Sequence, residues 1–117
     1  MRAHTGTYTG NLTRDAELRY TPGGHAVTNV DIALNKRSRD DQGNWVDAGT
    51  LYVSVRIWGR LAEPAADLRR GELITAVTSS MPEVRAYATQ AGEPRAQLTI
   101  TADSISRVIK PAASQRQ

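Results

Sequence analysis

From Thr50 to Trp58 the side chains alternate without a break, Leu51, Val53, Val55 and Ile57 on one side and Tyr52, Ser54, Arg56 and Trp58 on the other. Successive side chains of a strand point to opposite faces, so this period of two predicts a β-strand with one face on a core and the other wet. Ala26 to Ser38 repeats the pattern, with Val30, Ile32 and Leu34 on one side and Asn29, Asp31 and Asn35 on the other. Between them, Asp40-Asp41-Gln42-Gly43-Asn44 is a run of turn formers, which predicts a hairpin tip. At about 3.3 Å per residue each strand runs to about 40 Å. That is longer than a small barrel is tall, so the tip should project beyond the body.

Further turn signals at Thr13-Arg14-Asp15, Thr21-Pro22-Gly23-Gly24 and Gln90-Ala91-Gly92-Glu93-Pro94 divide the rest of the chain into short segments. Strands are expected around Leu73 to Thr78 and Arg95 to Ala102, followed by a last apolar stretch at Ile105, Val108 and Ile109. One helix is expected between Gly59 and Gly71. There Leu61, Ala65 and Leu68 share a face, Pro64 suits the first turn, Arg69 and Arg70 complement the C-terminal dipole and Gly71 supplies the C′ cap. Three strands, one helix and two strands is the order of the OB fold. The expected class is therefore all-β with one short helix, a five-stranded Greek-key barrel with a long projecting hairpin between strands 2 and 3. A chain of 117 residues holds one such domain, expected over residues 1–109, with 110–117 a disordered tail.

Several function classes fall away on composition. Without cysteine there are no disulfides, thiolate metal sites or cysteine nucleophiles. Met1 to Gly6 lacks the apolar stretch of a signal peptide, and no segment approaches the ~20 apolar residues of a membrane span; a cytoplasmic protein with no membrane contact is expected. His4 and His25 stand in polar, loop-like segments without ligand spacing, and Asp40-Asp41 reads as a turn. No phosphate loop, nucleophile elbow or triad spacing occurs. The expectation is a binding protein with no catalytic residue, metal or cofactor. A metal-dependent phosphohydrolase on the same barrel would need acids clustered with lysine, and these are missing.

The wet face then carries the function. The net charge is +3, and 13 of 15 basic residues are arginine, whose planar fork pairs with phosphate and stacks on bases. A polyanionic partner and an arginine-rich surface of merely compositional origin are equally compatible with that charge. Phenylalanine is absent, and the aromatics are Tyr8, Tyr20, Trp45, Tyr52, Trp58 and Tyr87, residues suited to half-exposed positions. Tyr52 and Trp58 share the wet face with Arg56 between them, about 20 Å end to end. Such a face either stacks bases of a single strand or buries against a neighbouring subunit. Trp45 either clamps a strand or pins the hairpin to the barrel. Tyr8 and Tyr20 read as structural.

Two segments carry a family resemblance. Gly10-Asn11-Leu12-Thr13-Arg14-Asp15-Ala16-Glu17-Leu18-Arg19-Tyr20-Thr21-Pro22-Gly23-Gly24, followed by Ala26-Val27-Thr28-Asn29, resembles the opening of the bacterial single-stranded DNA-binding proteins, and Trp58-Gly59-Arg60-Leu61-Ala62-Glu63 resembles that family's passage from third strand to helix. The resemblance spans Gly6 to Val108. It implies an OB fold that coats single-stranded DNA in replication, recombination and repair. It also implies a homotetramer, a dimer of dimers being one way to build it, and a nucleoid-associated location. By position, the stacking aromatics fall on Tyr52, Trp58 and Tyr87; the expectation built on this is that Arg37, Arg39, Arg56 and Arg60 meet phosphates, with Trp45 counted among the DNA-binding residues. The alternative is an OB-fold protein-interaction module that binds DNA weakly.

The chain also departs from the pattern. Ser38, between Arg37 and Arg39, stands where many members have a stacking tryptophan, so ion pairing is expected to replace one stack. Thr78 and Ser79 stand in place of a glycine-containing stretch, and Pro82 interrupts the fourth strand. The C-terminal Lys110-Pro-Ala-Ala-Ser-Gln-Arg-Gln carries no acidic, apolar recruiting peptide. From this the expectation is a coat protein that does not recruit by that route, like tail-less paralogues or phage- and plasmid-borne members.

Overall fold

The computed structural model describes residues 6–109; the expectations for His4 and for the tail 110–117 lie outside them. The strands are β1 (Gly6–Leu12), β2 (Glu17–Tyr20), β3 (Ala26–Arg39) and β4 (Trp45–Trp58). A 3-10 turn at Gly59–Leu61 leads into helix α1 (Ala62–Ala65), and β5 (Leu73–Thr78), β6 (Glu83–Ala88), β7 (Pro94–Thr101) and β8 (Ser104–Arg107) follow. These eight segments make five barrel strands, because the first, fourth and fifth are each broken once. The breaks fall at residues 13–16, at residues 79–82, where Pro82 has no N–H for a ladder, and at Ala102-Asp103.

Pairing runs around a ring. β1 is antiparallel to β5 from Gly6↔Thr78 to Asn11↔Leu73 and meets β3 at Asn11↔Ala33 and Leu12↔Ile32. β3 pairs with β4, and β4 pairs in parallel with β7 from Val53↔Leu98 to Arg56↔Thr101. The chain then bends at Ala102-Asp103 and β8 returns to β5, which closes the barrel. Inside lie Val30, Ile32, Val53, Val55, Ile57, Ile74 and Ile100, all with 2% exposure or less. These include three of the four apolar positions of the alternating run in β4. Thr28 is fully buried, and its hydroxyl donates to the carbonyl of Ala62, holding α1 on β3.

Two sequence expectations need correction. Leu51 continues the apolar side of β4 but is 45% exposed. It pairs with Leu34, one rung past the point where β1 stops pairing with β3 at Ala33, so no third strand covers it. From that rung outward the β3–β4 hairpin is a two-stranded arm, as its length required. It ends in a turn where Asp40 Oδ1 accepts the N–H groups of Gln42 and Asn44.

The helix is also shorter than its pattern, ending at Ala65 with Ala66 as its cap. Gly71, at φ +93°, closes a later turn ahead of β5 and does not cap the helix. Ala65 and Leu68 are buried as expected and Leu61 is half-buried, whereas Ile109 is exposed.

Candidate nucleic-acid interface

The outer face is read from the ladder registers. Paired residues on neighbouring strands share a face, so Val27, Asn29, Asp31 and Ala33 of β3 lie beside Trp58, Arg56, Ser54 and Tyr52 of β4. On the far side, Thr99 and Thr101 of β7 lie beside Ser54 and Arg56, and β6 adds Arg85 opposite Gln97 and Tyr87 opposite Arg95. Tyr87 thus belongs to the same outer face as Tyr52 and Trp58, two strands away from β4, or about 10 Å. All three rings are open to solvent, Tyr52 at 56%, Trp58 at 43% and Tyr87 at 48%. Gly59, at φ +68°, turns the chain out of the strand directly after Trp58, so Arg60 stands exposed at the end of the face.

A groove of about 400 Å³ crosses this face, lined by Arg14, Arg19, Asn29, Asp31, Arg56 and Trp58 among others. The sequence reading missed Arg14 and Arg19. Arg19 arrives through β2, whose Glu17 and Arg19 pair with Asn29 and Val27 of β3, the same rungs that face Arg56 and Trp58, while Arg14 stands in the break before β2. The signal available was the Glu17/Arg19 alternation, too short by itself to fix a face. Arg14 Nη2 lies 2.8 Å from Asp31 Oδ2 and Arg19 Nη2 lies 3.1 Å from Glu17 Oε2. Among the described residues Arg56 forms no ion pair.

The remaining expected residues stand on the arm. Arg37 donates to the Trp45 carbonyl at 3.3 Å and sits 3.7 Å from Asp47. The Arg39 guanidinium lies over the Trp45 ring, 4.9 Å from its centroid. Trp45 is 57% exposed on the last rung before the tip and takes no part in the core cluster. It therefore does not pin the hairpin to the barrel, because its ring already has a guanidinium partner on the arm itself. The arm and the groove are two separate cationic and aromatic patches along one pair of strands.

Tyr8 is partly buried against the core, and the Tyr20 hydroxyl donates to Glu63 Oε2 at 3.2 Å, a bond that raises the Tyr20 pKa. Tyr8 thus packs as a structural residue, as expected, whereas Tyr20 is 60% exposed and its side chain is tied to the scaffold by that bond. Among the described residues no group of three or more His, Asp or Glu side chains is gathered as for a metal ion, and no helix is long and apolar enough to cross a membrane.

The profile of the single-strand binding protein family matches residues 4–108. The chain belongs to this family. It is similar to the single-stranded DNA-binding protein of Paenarthrobacter aurescens, 38% identical over 108 residues that cover 91% of this chain and 62% of the relative. It is similar too to that of Mycobacterium tuberculosis H37Rv, 36% identical over 111 residues that cover 93% and 66%. The chain thus spans less than two thirds of the length of these relatives.

Family membership is matched by fold. The crystal structure of a small single-stranded DNA-binding protein from Streptomyces coelicolor superposes with a TM-score of 0.73 at 22% identity, covering 93% of this chain and 97% of that one. A deletion mutant of the single-stranded DNA binding protein from Thermus aquaticus gives 0.69 at 29%, covering 92% and 52%. The fold is the OB barrel of the single-strand binding family, mostly strand with one short helix.

Proposed function

We propose that this chain binds single-stranded DNA largely without regard to sequence. In this reading the bases stack on Tyr52, Trp58 and Tyr87. Arg56 and Arg60, together with Arg37 and Arg39 on the arm, meet phosphates, and Trp45 extends the path beyond the barrel. The observation that carries the reading is the set of three exposed rings on one outer face, bordered by a groove that three arginines line. The names of the relatives support it. Stacking suits every base because every base has a π face, and each stack is worth ~1–3 kcal/mol. The protein acts by holding and covering the strand, with no turnover. Its setting is replication, recombination or repair, and its assembly a homotetramer.

Titration with oligo-dT should quench tryptophan fluorescence, and affinity should fall steeply with salt. Tyr52→Ala with Trp58→Ala, followed with a labelled oligonucleotide, should weaken binding by at least ~30-fold, two stacks at their lower value. Size-exclusion chromatography of the same variant separates the alternative. Dissociation of the assembly with little change in DNA affinity would show that the face docks protein instead.

A further inference from the structure

The groove holds two carboxylates, Glu17 and Asp31, each beside an arginine. Asp31 is the less exposed, its side chain 24% accessible, and only its Oδ2 is engaged, by Arg14. A carboxylate accepts at about four lone-pair sites, so Oδ1 retains its capacity. Around it, the side chains of Asn29, Ser54, Arg56 and Gln97 make no hydrogen bond among the described residues, although all line the groove. The groove thus joins one aromatic ring, Trp58, with unspent acceptors and guanidinium donors. Its volume of about 400 Å³ falls in the ~300–1,000 Å³ range of small-molecule sites.

We propose that this groove is a single-nucleotide subsite that prefers guanine. The base stacks on Trp58, its N1–H and N2–H donate to the Asp31 carboxylate, and its N7 and O6 accept from the guanidinium of Arg56. Guanine is the one DNA base that offers both an adjacent pair of donors for a carboxylate and an adjacent pair of acceptors for an arginine fork. Thymine has no exocyclic amine, and adenine and cytosine have no ring N–H beside theirs. The inference rests on the binding reading above and adds to it one selective position within a tolerant path.

The test uses the whole chain and 20-nucleotide oligo-dT strands carrying one central dG, dA, dC or deoxyinosine, which lacks the 2-amino group. A tolerant binder can shift along the strand until the odd base enters the groove. The dG strand should bind about 10-fold tighter than all-dT, the gain of one bidentate contact, with deoxyinosine between and dA and dC within about twofold of dT. Asp31→Asn should bring the dG and all-dT strands to within about twofold of each other, whatever change the release of Arg14 makes to both. Equal affinity for dG and dT in the unaltered protein, with all-dT still bound, overturns the subsite and leaves the general reading standing. Loss of all-dT binding would instead overturn the general reading. A preference that survives in Asp31→Asn overturns the role of Asp31. Because the strand series needs only the unaltered protein, the inference stays testable should that variant fail to fold.

Discussion

Arg56 sits at the centre of the outer face, between Asn29 on one neighbouring strand and Thr101 on the other, and among the described residues it forms no ion pair. On an all-thymine strand, which has no guanine edge to take this guanidinium, Arg56 is expected to meet a phosphate. Arg56→Gln should therefore flatten the slope of log affinity against log salt by about 0.7, the loss of one single-strand phosphate contact. Arg37→Gln should change it less, because Asp47 already shares that charge; equal slopes for the two variants would refute the distinction. Tyr52, Arg56 and Trp58 were legible in the sequence because one uninterrupted alternation places all three on one face. Arg14 and Arg19 were not. What brings Arg19 to the groove is pairing across three strands, Arg19 beside Val27 and Val27 beside Trp58, and what holds Arg14 there is its ion pair with Asp31; no local pattern encodes either.

Among the elements, β3 and β4 came through most clearly, since fourteen residues each of alternating character leave little else to fold into. The helix was over-read for a physical reason. Residues 66–71 carry helical composition but are drawn into other bonds: the Leu68 carbonyl accepts the Ala16 N–H, the Leu12 carbonyl accepts the Gly71 N–H and Asp15 Oδ1 accepts the Arg70 N–H. Those partners lie at the β1–β2 junction, so tertiary hydrogen bonds override local propensity. The approach of β1 to β3 depends on Gly10, where an added Cβ would lie 2.6 Å from the Ala33 carbonyl oxygen and 2.9 Å from Leu34 Cδ1. One of these contacts is backbone, so Gly10→Ala should cost roughly 1–3 kcal/mol through overpacking. Thermal unfolding measures this, and an unchanged Tm would mean that β1 and β3 can separate without loss.

For the whole molecule, the ring of strands is held near its last link by Glu72, which binds the Arg107 guanidinium of β8 through one oxygen and the Arg69 N–H through the other. The Arg107 hydrogen bond, then the Arg69 N–H, hold the Glu72 carboxyl below its ordinary pKa. A depressed carboxyl pKa adds stability that is fully present above the unfolded-state value and fades as pH falls through the folded one. The Tm difference between the unaltered protein and Glu72→Gln should thus be largest near neutrality and vanish on acidification; a gap that widens in acid would contradict the pairing. The link itself has a kinetic consequence. The parallel β4–β7 rungs, such as Val53↔Leu98, join residues far apart in the chain, and so do the β1–β5 rungs such as Gly6↔Thr78. Closing such loops costs entropy before any contact repays it, which puts barrels of this kind in the ~ms–s range of folding times. During synthesis, moreover, one edge of β4 stays unpaired until residues 94–101 have left the ribosome. For that interval the strand that carries Tyr52 and Trp58 is an open template for another chain, and the projecting hairpin arm is its longest exposure to mispairing.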